Sequence, residues 1–125
     1  MSKPLMKVVL PRLARPLYKH LERLQNGELD ETAFTAKIEA MLQRQHAWLS
    51  KRGIAAAKAA VAIHAAVLVL SLPGLRAEAA EAGVPLEVFE NRALREAAAD
   101  IAQSYGMPER RAAEALARLV AKHGD

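Results

Sequence analysis

Cysteine is absent from this sequence of 125 residues, which excludes a disulfide framework, a thiolate nucleophile and a zinc–thiolate site. Aromatic residues make up only 4% and β-branched residues are few, so the usual material of strands is missing and an alanine- and leucine-rich chain suited to helices remains. No HExxH, P-loop or GxGxxG pattern occurs. The four histidines, His20, His46, His64 and His123, are far apart, and none has a carboxylate three residues away, so the Glu-x-x-His pattern of di-metal bundles is missing too. Glu96/Asp100 and Glu87/Glu90 have helical spacing and read as solvated helix faces. These absences nominate no catalytic residue, no cofactor and no metal, and they point away from an enzyme. The opening MSKPLMKVVLP has a short, proline-bounded apolar run and no small-residue cleavage site, so it does not read as a secretory signal, and the cytoplasm is the expected location.

What the chain does have is one long apolar stretch. Between Ile54 and Leu72 only Lys58, His64 and Ser71 interrupt it. At 100° per residue, Val61 and Leu68 share a face with Ile54 and Leu72, while Ile63 and Leu70 point the opposite way. Such a helix has no side that prefers water and must be surrounded by other helices, by a second copy or by lipid. The lipid alternative, a span at 54–72, has the required length of about 20 residues. Against it, eight larger apolar residues each contribute about −0.3 to −0.6 kcal/mol to insertion, whereas a central lysine costs about +2.5 to +3.5, and His64 sits at mid-span. Ala55/Ala59, Ala56/Ala60 and Ala62/Ala66 repeat at i,i+4, which allows close helix approach in the middle of a bundle. The expected architecture is therefore a single all-α domain: a bundle of five or six helices around a buried Ala/Leu/Val-rich central helix at about 54–72. Within it, His64 reads as a neutral, hydrogen-bonded core residue. Lys58 sits near the helix start, its ammonium reaching solvent or an acid such as Glu78 or Glu81.

The six glycines, at 27, 53, 74, 83, 106 and 124, each follow an apolar-periodic run and read as helix ends. Residues 1–10 read as a flexible basic arm, because Pro4 and Pro11 interrupt any early helix. A first helix is expected from about Pro11 or Pro16 to Gln25, and a second over about 31–51. Asp30 would cap the second helix, with Leu29 and Phe34 at hydrophobic-staple spacing. After the central helix, Pro73-Gly74 should turn the chain into a short helix at 75–82. A fifth helix at 86–104 and a last one from Pro108 to about Lys122 complete the series.

Charge is unevenly spread over a net of +4. Residues 1–27 hold six cations against Glu22 alone, while 76–106 hold Arg76, Arg92 and Arg95 against six acids. These two regions can pair within the fold or between subunits, and the basic one can also meet phosphate or an anionic membrane surface.

The segment AADIAQSYGMPERRAAEALA, residues 98–117, resembles the helix-turn-helix of DNA-binding regulators. Ala102, Gly106, Met107, Ala112 and Leu116 stand at the positions that hold the family's two helices together, with Ile101 and Tyr105 as first-helix core. The resemblance implies that Glu109, Arg110, Ala113 and Glu114, with Arg111 close by, would face DNA. Arg110, Arg111, Arg118 and Lys122, together with Arg12, Arg15 and Lys19 from the basic segment, are the candidate DNA-binding residues. Glu109 and Glu114 oppose that role, since they would meet the phosphate field. Two functions thus stand first: a non-enzymatic interaction protein that binds itself as a homodimer or binds another protein, and a helix-turn-helix regulator of DNA. A membrane-associated protein spanning at 54–72 is the third.

Overall fold

The computed structural model describes residues 5–124 as five α-helices, with no strand among them: α1 (Leu5–Gln25), α2 (Glu31–Lys51), α3 (Ala56–Ala82), α4 (Leu86–Tyr105) and α5 (Glu109–His123). The all-α bundle is as expected, and its helices number five of the five or six anticipated. α1 pairs with α2, α4 pairs with α5, and α3 packs against each of the other four.

The core forms where α3 is richest in small residues. Ala59 to Ile63, Ala65 and Ala66 are buried, and Ala60, Ala65 and Ala66 are fully so. Against them pack Met6, Val9, Leu13 and Leu17 of α1, Met41 and Leu49 of α2, Ala97, Ala98 and Ile101 of α4, and Ala112 and Leu116 of α5. Alanine at successive turns of α3 leaves room for neighbouring helices to approach on several sides. The enclosure is not complete along the apolar run, however. Val67, Leu68, Val69 and Leu70 are all only half-buried.

Pro11 was expected to interrupt an early helix, Pro16 to start or kink α1 and Pro73 to end α3, yet all three lie inside continuous helices. α1 begins at Leu5 and runs through Pro11 and Pro16. Of the expected arm, residues 1–4 lie outside the described residues, and 5–10 form the first turns of α1. The reason is packing. Met6, Val9, Leu13 and Leu17 form one buried stripe at i, i+3, i+7 and i+11, which holds the helix despite the backbone hydrogen bonds that proline removes. The carbonyls deprived of a donor are those of Lys7 and Arg12, two exposed residues. Likewise α3 continues through Pro73 and Gly74 to Ala82, so the expected separate helix at 75–82 is its last two turns. Leu68, Leu72, Leu75 and Ala79 extend one apolar stripe across the Pro-Gly pair, and Leu72 and Ala79 are buried.

That continuity corrects the expected Lys58 contact. Lys58 and Glu78 are 20 residues apart in one helix, about 30 Å, which no side chain spans. Gly74 is helical and Gly124 has φ −83°, so neither is a left-handed helix end. Gly83 and Gly106 are such ends, at φ +67° and +71°, where any side chain would be strained.

Asp30 caps α2 as expected: its Oδ1 accepts from the Ala33 N–H at 2.7 Å. Asp30→Ala should therefore lower the free energy of unfolding by about 1 kcal/mol, with Asp30→Asn close to wild type, in urea titrations followed by circular dichroism. Equal stability of all three proteins would show that the cap contributes nothing.

Candidate functional site

The chemistry-bearing side chains gather where α2, α3 and α4 meet. An open cleft of about 590 Å³ lies there, with Leu42 and Ile63 as its apolar lining. Glu39, Gln43 and His46 come from one face of α2, His64 from α3, and Asp100, Ser104 and Tyr105 from the last turns of α4. The Tyr105 hydroxyl and His46 Nε2 are hydrogen-bonded at 3.0 Å. Their rings also stack, with centroids 5.4 Å apart and planes 9° from parallel. This pair ties α2 to the end of α4 and forms one corner of the cleft.

Tyr105 therefore does not serve as helix core, as the helix-turn-helix resemblance implied. It is 38% exposed, and Ala98 and Ile101 fill the interior instead. His64 also departs from expectation: it is half-buried and faces the cleft rather than being enclosed in the core.

Burial lowers the pKa of His46 below the ordinary histidine value. It does the same to His64, where Asp100 pulls the other way and His46 adds to the lowering. His20, in the α1–α2 hairpin, is lowered by burial and by the surrounding cations Lys37, Arg23, Lys19 and Arg44. In each case the unfolded chain, with a pKa near 6.5, takes up a proton before the folded one does. The stability these neutral imidazoles contribute is thus fully present above about pH 6.5 and lost as pH falls through the folded values. Urea unfolding at stepped pH should show stability declining below that point, with a shallower decline in His64→Gln. An identical slope in the variant would contradict this assignment. Among the described residues, no three His or acidic side chains stand close enough to hold a metal ion.

The seven candidate DNA-binding residues are divided between the two helix pairs. Arg12, Arg15 and Lys19 lie on α1, which packs on α2 and α3; Arg110, Arg111, Arg118 and Lys122 lie on α5, which packs on α3 and α4. Arg12 is already engaged. Its guanidinium lies 3.7 Å from the Trp48 ring centroid, and its Nε donates to Gln45 Oε1 at 2.9 Å. Arg52 sits 3.6 Å from the same ring, so the two guanidiniums must take opposite faces of the indole. Arg15, Lys19, Arg111, Arg118 and Lys122 are exposed. The Arg110 side chain is 92% exposed and pairs with Glu114 at 3.4 Å, one turn away on the same helix.

The α4–α5 corner is packed as two helices meeting at a glycine turn are in general. Gly106 is left-handed, and Ile101, Ala112 and Leu116 are fully buried. The cleft, in contrast, was not anticipated from sequence. The spacing of Glu39, Gln43 and His46, which puts them on one face of α2, was its one visible trace. The chain matches no protein-family model, no curated protein and no solved structure.

Proposed function

We propose that the chain is a small, non-enzymatic interaction protein of the cytoplasm that self-associates, in the simplest case as a homodimer, through the apolar surface left open on the second half of α3. The observation that carries this reading is the run Val67, Leu68, Val69 and Leu70. Four consecutive apolar residues point in four directions 100° apart, and all four pack against the core yet keep part of their surface accessible, directly after a segment buried on nearly every side. Fully burying a side chain of this size gains about 1.5–3 kcal/mol relative to exposure, so covering even part of this surface favours a partner. A second copy suits it in charge as well as in polarity. The basic first helix of one subunit complements the acidic 76–106 region of another. α3 is also long and apolar enough to cross a membrane by length and composition, yet its alanine-rich half is covered by the other helices.

The test is methyl NMR across a protein dilution series. The methyl resonances of Val67, Leu68, Val69 and Leu70 should shift with concentration while those of buried Leu13 stay fixed. Concentration-independent spectra would remove this reading.

A second reading keeps the helix-turn-helix resemblance, and the packed α4–α5 corner favours it. In that case Arg110→Ala with Arg111→Ala weakens binding to duplex DNA and flattens its salt dependence. Glu109 and the Arg110–Glu114 pair weigh against it, since both reduce the positive field where DNA would lie.

A further inference from the structure

The cleft between α2, α3 and α4 has a chemistry that self-association does not use. We infer that it is a binding site for an aliphatic amine carrying two ammonium groups, one held by Glu39 on the α2 wall and one by Asp100 on the α4 wall.

Four observations carry this. First, the volume of about 590 Å³ lies within the range of about 300–1,000 Å³ typical of small-molecule sites, and three different helices build it. Second, its charged lining is of one sign. Glu39 and Asp100 line it, no lysine or arginine does, and neither acid has an ion-pair partner among the described residues. In a chain of net charge +4, an unpaired acidic lining is a local reversal that repels anions and attracts cations.

Third, the remaining polar groups are hydrogen-bond acceptors or adaptable neutral groups: the imidazoles of His46 and His64, the Gln43 amide and the Ser104 hydroxyl. The exposed Tyr105 ring, held in place by His46, adds a surface suited to an ammonium group. Fourth, Leu42, with the edge of buried Ile63, adds apolar lining between the polar groups, which suits the methylene chain between two ammonium groups. A bare divalent metal ion fits less well, because no three of these ligands converge closely enough to hold one.

The experiment is isothermal titration of the full-length protein with 1,4-diaminobutane, with butylamine and inorganic phosphate as comparisons. The diamine should bind saturably at one site per chain, butylamine more weakly, and phosphate not at all. Glu39→Gln and Asp100→Asn should each weaken the diamine by about tenfold or more, because each removes one charge-assisted contact. Both side chains are exposed, so the variants should fold, and circular dichroism checks that they do. Glu109→Gln, away from the cleft, should leave the affinity unchanged. The inference is overturned if the diamine does not saturate at millimolar concentration, if phosphate binds in its place, or if Glu109→Gln weakens binding as much as the cleft variants do. Tight zinc binding that displaces the diamine would equally overturn it, by making the cleft a metal site.

Discussion

Leu116→Ala lowers the free energy of unfolding by about 2–5 kcal/mol. Leu116 is fully buried, and with Ala112 it makes up the buried part of α5; Leu119 and Val120 are only half-buried. Most of the other residues of that helix are charged or alanine, so Leu116 is its one large, fully buried anchor in the bundle. Removing the isobutyl group forfeits its transfer free energy and leaves a space that the surroundings fill only in part. Ala98, Ile101 and Ala112, which belong to the same core, are fully buried as well. Urea unfolding followed by circular dichroism, with an unchanged denaturant slope, gives the number. A loss below about 1 kcal/mol would mean that α5 is not docked as described.

If the proposed self-association holds, Leu70→Glu has its large effect on association rather than on folding. Leu70 packs against the core but keeps part of its surface accessible, so the monomer can turn a carboxylate there toward water. In a two-fold dimer the substitution occurs twice, and each copy loses apolar burial and places a charge against an apolar surface. The dimer should therefore weaken by about a hundredfold or more, with monomer stability changed far less. If Leu70→Glu associates as tightly as the wild type, the interface lies elsewhere.

The helices were legible because local and global signals agreed. Asp30, Gly83 and Gly106 mark ends that the structure keeps, with cap geometry to match. Prolines 11, 16 and 73 misled because a local cost, about 3 kcal/mol per proline within a helix, was weighed without the burial that offsets it. The offsetting stripes were already in the sequence: Met6, Val9, Leu13 and Leu17 across the first two prolines, and Leu68, Leu72, Leu75 and Ala79 across the third.

The cleft was a different kind of miss. Glu39 and His46 share a helix face by spacing alone, but Asp100 and Tyr105 join them only because α4 ends beside α2, about 60 residues away in the chain. No periodicity encodes that meeting. The contacts of the basic residues were hidden for a similar reason. Arg12 and Arg110 carry the same charge, yet Trp48 and Gln45 hold one while Glu114 holds the other. Charge counts in sequence do not distinguish an engaged guanidinium from a free one.

The central claim is that the open half of α3 is an interface between copies of this chain. Sedimentation equilibrium of the full-length protein without detergent, from dilute solution to the solubility limit, tests it most directly. The account predicts a weight-average mass that rises from the 13.6 kDa of one chain toward twice that value as concentration increases. A mass of 13.6 kDa at every concentration would contradict it.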